Sequence, residues 1–307
     1  MLPIDEKYFP GFVQKNIEVE NGIFINTYIG GEGKEAVLLL HGHPESHLIW
    51  RFIVHELVKK YTVVITDLRG YGDSSKPEGL PDHSNYSKRA MSDDQVKVMQ
   101  ALGFTKFHVC GHDRGARVLH RMIMDYPEKI LSCTLMDIVA TYDMYKETSM
   151  EFANKYWHWF FYIQGKGFPE TALSADPKQF INYNLNLKIG PTARKRFPGD
   201  VMDEYIRIFS DPMMVHGICE DYRASATIDM LMDEADRQQI IHTPILLLWG
   251  ANGVVGKLWN VMDKWKLLAD NLEGYAIDNC GHFVPEEQPE EVLKYLLPFL
   301  SKHNRDI

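Results

Sequence analysis

The 307-residue chain has few cysteines, no long apolar run and no surplus of positive charge. Its four cysteines, Cys110, Cys133, Cys219 and Cys280, form neither a CxxC pair nor a His/Cys metal spacing, so neither a disulfide framework nor a zinc module is expected. Cys110 and Cys133 fall in apolar, strand-like runs, where a thiol packs as a small hydrophobe. Lysine and arginine number 33 against 42 acids, a net charge of −9. That balance disfavours nucleic acid, whose phosphates need a basic face. It also excludes a broad anion-gathering field, so an anionic substrate must be held by individual arginines. No apolar run approaches the roughly 20 residues of a membrane span. Residues Met1–Lys7 lack the regions of a secretory signal. A soluble cytoplasmic protein is therefore expected, with no membrane and no nucleic-acid partner. There is no internal repeat, and no metal or organic cofactor is indicated.

What is present is a rhythm of strands and helices. Residues 12–29 alternate around Asn21-Gly22, the signature of a hairpin. Ala36–Leu40 is a continuous apolar strand ending in His41-Gly42-His43-Pro44. Tyr61–Thr66 is another, ending in Asp67-Leu68-Arg69-Gly70-Tyr71-Gly72. A helix is predicted from about Ser87 to Leu102, with Gly103 as its C-cap. Strand Phe107–Cys110 leads into Gly111-His112-Asp113-Arg114-Gly115 and a helix to about Asp125, stopped by Pro127. Strands follow at Leu131–Met136, Pro244–Gly250 and Gly274–Asp278. Such alternation predicts an α/β fold with a mostly parallel sheet flanked by helices. Residues from about 140 to 235 break the rhythm and read as helical and aromatic-rich. The expected organisation is a core of residues 1–139 and 236–307 with an inserted helical cap over 140–235.

Gly111-His112-Asp113-Arg114-Gly115 has the form G-x-nucleophile-x-G between a strand and a helix. Its glycines relieve crowding at a sharp turn that exposes the middle side chain. Esterases place Ser there; this chain places Asp113, whose anion also gains from the helix N-terminus. The alternative is an Asp that merely caps the helix. Against it stands His282, in a Gly-His pair after the last strand, where the general base of this architecture belongs. The loop Gly250–Gly256 after the preceding strand carries no acid, so Asp137, one strand earlier, is the candidate to orient the imidazole. The backbone N–H of Arg114 and one from the His41–Pro44 loop are the expected oxyanion donors.

These residues identify a resemblance to the α/β-hydrolase superfamily over nearly the whole chain, and within it to the fluoroacetate (haloacetate) dehalogenases. The match is carried by Gly111–Arg117, Asp67–Ser74, Trp157–Phe160 and Cys219–Ala224. The resemblance implies an aspartyl nucleophile at Asp113 and a triad completed by His282 and Asp137. It implies that Arg114 and Arg117 hold a substrate carboxylate, and that His158, Trp159 and Tyr222 receive the halide. Two places depart from the family's habit. His43, lining the substrate side of the oxyanion loop, stands where Phe is usual, and the stretch 180–190 has Phe180, Tyr183 and Lys188 but no Trp. A different halide or substrate preference is expected from them.

Chemically, a carboxylate is already deprotonated and can displace a leaving group from a saturated carbon. The expected partners are therefore a small haloacid and water, with a homodimer left open. Arg114 and Arg117 lie three residues apart at a helix start and can share a face; a structural pair neutralising nearby acids is the plain alternative. The cap aromatics, taken alone, read as core packing. An epoxide hydrolase would use the same Asp–His chemistry with cap tyrosines such as Tyr162, Tyr183, Tyr205 or Tyr222 as acids. A non-catalytic binder would have no need of the base.

Overall fold

The computed structural model describes residues 3–305. Its eight strands are β1 (Val13–Glu20), β2 (Ile23–Gly30), β3 (Ala36–Leu40), β4 (Thr62–Thr66), β5 (Phe107–His112), β6 (Ile130–Met136), β7 (Ile245–Gly250) and β8 (Leu272–Ile277). They form one sheet in the order β1-β2-β4-β3-β5-β6-β7-β8. The β1–β2 and β2–β4 pairs are antiparallel and the remainder parallel. Asn21 and Gly22 are the two residues between β1 and β2, and Gly22 takes the positive φ of +77° that a tight hairpin needs. β3 and β4 are buried along their full length, as an all-apolar strand sandwiched between helices must be.

The helix Lys88–Ala101 connects β4 to β5, and Asp113–Asp125 connects β5 to β6. Ser87 caps the first, its side chain accepting from the Ala90 N–H. Chain reversals follow the punctuation in the sequence, with Gly103 at φ +87° after one helix and Pro127 after the other. β8 begins two residues earlier than its apolar pattern suggested. It is an edge strand, largely half-exposed, so Glu273 can occupy it at little cost. Between β6 and β7 the chain is helical, with Pro177–Lys188 and Pro212–Ala226 the longest pieces. Among the described residues no helix is long and apolar enough to cross a membrane.

Two devices fasten helices to the sheet, the first in the layer between β6 and β7. In the loop after β4, the buried Asp67 accepts from the His47 N–H at 2.9 Å, Asn26 Nδ2 at 2.8 Å and the Asp73 N–H at 3.0 Å. The loop so fixed brings Gly70 against Gly217, where a Cβ on Gly217 would lie 2.7 Å from the Gly70 Cα. Beside it, Tyr71 donates to Asp221 Oδ2 at 2.7 Å, and Lys88 pairs with the same carboxylate. The second device is at the start of helix Asp113–Asp125, where the Gly115 N–H donates to the His41 carbonyl at 2.9 Å.

A Cβ on Gly115 would sit 2.5 Å from the carbonyl oxygens of both Leu40 and His41. Gly115→Ala should therefore lose stability, by about 1–3 kcal/mol as for other overpacked sites, despite a helix-propensity gain of up to ~1 kcal/mol. Urea unfolding checks this; an unchanged midpoint would show that the helix can step back from β3.

Candidate active site

Asp113 is the first residue of its helix, directly after β5, with φ +45°. That left-handed conformation costs a non-glycine residue about 1–3 kcal/mol. It lifts the carboxylate out of the helix groove toward the ends of the parallel strands, where open sheets place their sites. The helix cap is His112, not Asp113, so the carboxylate is free for another role. Close approach is possible at two positions only with glycine. A Cβ on Gly111 would meet Ala116 N at 2.8 Å, and one on Gly42 would meet Asp113 Cβ at 2.5 Å. The backbone N–H of His43 donates to Asp113 Oδ1 at 3.0 Å, which realises one of the two expected oxyanion donors.

Burial alone would raise the Asp113 carboxyl, but the charges of His282, His112, Arg117 and Arg114 hold it well below the ordinary carboxylate range. His282 Nε2 faces Asp113 Oδ2 at 3.8 Å, and its Nδ1 lies 2.6 Å from Asp137 Oδ2. A carboxylate only accepts, so Nδ1 carries the proton and Nε2 presents its lone pair to Asp113. Burial lowers the His282 pKa, against the pull of Asp137; it is a neutral base at neutral pH. Asp137 sits at φ +54° just past β6, and its Oδ1 accepts the Gly250 N–H at 3.2 Å. The acid thus bridges the ends of β6 and β7.

Several supports were invisible in the sequence. The His112 ring donates from Nε2 to the His282 carbonyl at 2.8 Å, with Nδ1 3.0 Å from Glu45. Burial works against its proton, but the Glu45 charge prevails and lifts His112 to about 9. Glu287 accepts from the N–H groups of Gly281 at 2.8 Å, Phe283 at 2.9 Å and Gly190 at 2.7 Å, clasping the His282 loop. Tyr156 places its hydroxyl 3.4 Å from His282 Nδ1. Apart from the contacts of Glu287 with Gly281 and Phe283, only the order of the chain in space reveals these, since the partners lie far apart in sequence.

Arg114 and Arg117 are both buried beside the carboxylate but are not equivalent. Arg114 grips Asp221 with Nε and Nη2, at 2.7 and 2.8 Å, and stacks 4.0 Å over the Tyr222 ring. Its Nη1 has no partner among the described residues. Arg117 donates from Nη1 to the Val139 carbonyl at 2.9 Å and to Thr141 Oγ1 at 3.0 Å, and its Nε is unpartnered. The expected fork on a substrate carboxylate is therefore partly used: each arginine spends part of its donor set on the protein and leaves one buried nitrogen unpartnered among the described residues.

His43, His158, Trp159 and Tyr222 converge on this space. The His43 ring packs edge-on against Tyr222 at 5.8 Å and 6.2 Å from His158. Its Nε2 lies 3.2 Å from the Tyr162 hydroxyl. Trp159 stacks edge-on to Tyr222 at 6.0 Å with its indole N–H unpartnered. Of the tyrosines considered as epoxide acids, Tyr183 is 57% exposed and Tyr205 donates to Glu286 at 2.9 Å. Tyr162 and Tyr222 remain near His43. A pocket of about 330 Å³, lined in part by Tyr156, Lys188, Lys257 and His282, opens beside the base.

The sequence pattern of the α/β hydrolase fold family matches residues 35–289. A fluoroacetate dehalogenase from Burkholderia sp. is 40% identical over 95% of this chain and 95% of its own length. A soluble epoxide hydrolase from Corynebacterium sp. is 29% identical over 92% of this chain and 95% of its own. Among solved structures, a proposed α/β hydrolase from Nostoc sp. superposes with a TM-score of 0.91 at 44% identity, over 94% of this chain and 98% of its own. With the sheet order, the strand-end site and these likenesses together, the chain belongs to the α/β hydrolase fold family.

Proposed function

We propose that the protein is a hydrolytic dehalogenase of small haloacids such as fluoroacetate or chloroacetate, working through an ester on Asp113. The observation that carries this reading is the pair of buried, partly unsatisfied guanidinium groups of Arg114 and Arg117 beside a carboxylate nucleophile. Leaving such donors unpaired costs about 1–3 kcal/mol each, more when charged. A substrate carboxylate would satisfy both, and would place its α-carbon against Asp113. The similarity to a fluoroacetate dehalogenase supports the same substrate class.

In the first step an Asp113 oxygen attacks the halogen-bearing carbon; the C–O bond forms as the carbon–halogen bond breaks, and its electron pair leaves with the halide. In the second, neutral His282 takes a proton from water through Nε2, and the hydroxide adds to the ester carbonyl carbon. The 3.8 Å between Nε2 and Asp113 sets the base beside that carbon. The His43 N–H, already 3.0 Å from an Asp113 oxygen, stabilises the resulting oxyanion, with the Arg114 N–H as the second donor. Collapse returns Asp113 and a hydroxyacid; the net products are hydroxyacid, halide and a proton. Trp159 Nε1 and the Tyr222 hydroxyl offer hydrogen bonds to the leaving halide. The Tyr162 hydroxyl at His43 keeps an epoxide as the second reading; a neutral epoxide would leave the arginine donors unsatisfied.

Asp113→Asn should retain the fold and lose turnover, since it removes the attacking oxygen and no packing. Haloacetate turnover with halide release read by ion-selective electrode tests this; activity in a folded variant shown by mass to be free of Asp would end the covalent mechanism. In His282→Asn the ester should form and persist, so intact-mass spectrometry after adding chloroacetate should find a glycolyl adduct mapping to Asp113. A dead variant without adduct would contradict the assignment of His282 to the second step alone.

Arg117 is the cleaner probe of the carboxylate clamp, because removing Arg114 would also strand buried Asp221. Arg117→Met should lower kcat/KM for haloacids by about ten- to a hundred-fold, the worth of one charge-assisted hydrogen bond, and should affect styrene oxide little. Equal losses on both substrates would assign Arg117 to the fold.

A further inference from the structure

Lys188 is the last residue of the cap helix Pro177–Lys188 and is buried. A buried ammonium is normally paired, because desolvating it costs several kcal/mol. Here, among the described residues, Lys188 forms no ion pair. Its Nζ lies 3.5 Å from His158 Nε2 and 5.6 Å from the centre of the Tyr156 ring. It lines the same pocket as His282, and the closest-acting negative charge is that of Asp113. The cation therefore lies between His158 and the pocket beside His282, which Lys257 also lines, without a fixed counterion among the described residues.

Its neighbour adds a constraint. An ammonium has only donors, so the proximity of Nζ to His158 Nε2 makes that nitrogen an acceptor and puts the imidazole proton on Nδ1. Burial, reinforced by the Lys188 charge, keeps His158 well below its usual pKa and hence neutral. His158 then has no N–H at Nε2 to offer an anion, while Lys188 has two left. A compact, strongly hydrated ammonium also suits a small, hard anion better than a ring N–H does.

Resting on the dehalogenase reading, we propose that Lys188 is a halide-binding residue whose ammonium holds the departing halide in the place expected of His158. It takes up the negative charge that the carbon–halogen electron pair carries away. The groups around it are His158, His43, Tyr156 and His282, with the carboxylates of Asp113, Glu45 and Asp137 acting at longer range. Burial lowers Lys188 to about 8, opposed by those carboxylates. The anion site is thus charged below that pH and loses its charge as pH rises through it; a bound halide moves the midpoint upward.

The test is calorimetric titration of the enzyme with sodium bromide at fixed ionic strength, from about pH 6 to about pH 10, alongside haloacetate turnover. The wild type should bind bromide and lose affinity through and above about pH 8. Lys188→Met should bind about tenfold or more weakly at neutral pH, with no such pH dependence. Lys188→Arg, which does not titrate in this range, should retain binding across it. Bromide affinity unchanged by Lys188→Met, or a wild type that binds no bromide, would overturn the inference even where haloacetate is turned over. Lys188-dependent binding in an enzyme inert to haloacids would keep the anion site and reject the substrate class. The wild-type pH series stands without any variant, should one fail to fold.

Discussion

A carboxylate that must stay ionised away from water is the constraint around which this molecule is arranged. Asp113 is almost fully buried, and burial by itself would protonate it. Two arginines and two imidazoles outweigh that tendency, yet each added cation creates its own need for a counter-charge. Arg114 meets it with Asp221, and Asp221 is shared in turn with Lys88 and Tyr71. His112 meets it with Glu45. Charge compensation thus spreads outward from one side chain until it reaches both the loop after β4 and the cap.

The helices between β6 and β7 are coupled to Asp113 through that spread. Asp221 lies on the helix Pro212–Ala226 and takes two donors from Arg114, the residue after Asp113. The loop that supplies Tyr71 is itself set by Asp67, and Gly70 and Gly217 let backbone meet backbone there. A shift of this helix would move Asp221, and with it the guanidinium. The Arg114 guanidinium is thus fixed in direction in advance, and on the proposed reading it would favour orientation of a substrate carboxylate over adaptability. It also means that Arg114 is a poor residue on which to judge substrate recognition, whereas Arg117 leans on neutral acceptors.

How much of this could be read from residues alone follows from the range of the forces. Strand periods, the Asn21-Gly22 turn and the stop at Pro127 are local, and the structure follows them within a residue or two. The Gly111–Gly115 turn and the Gly-His pair are also local patterns, and the fold brings Asp113, His282 and Asp137 together, with His282 hydrogen-bonded to Asp137 and 3.8 Å from Asp113. The loop Gly250–Gly256 has no acid, and this absence pointed to Asp137, which lies 2.6 Å from His282 Nδ1. What stayed hidden was long-range. Nothing near Arg114 in sequence announces Asp221, 107 residues away, so the arginine pair looked symmetric. Nothing in a polar helix such as Pro177–Lys188 says that its last lysine points inward. Tyr156, Glu45 and Glu287 likewise gain their roles only from partners that folding delivers.

The placement of the acid after β6 has a consequence for the base. Asp137 holds both His282 Nδ1 and the Gly250 N–H, so the loop after β7 is free of any catalytic side chain and contributes only backbone. That loop can then be small. A Cβ on Gly250 would lie 1.7 Å from the Gly281 carbonyl, so the His282 loop packs directly against it. Glu287 holds the other side of the loop through three N–H groups, one of them that of Gly190, two residues beyond Lys188. The His282 N–H donates to the Lys188 carbonyl at 3.0 Å. Base and cap lysine are therefore positioned by one hydrogen-bonded seam. His282 and Lys188, to which we assign the activation of water and the capture of the departing anion, are thus tied to each other through the backbone.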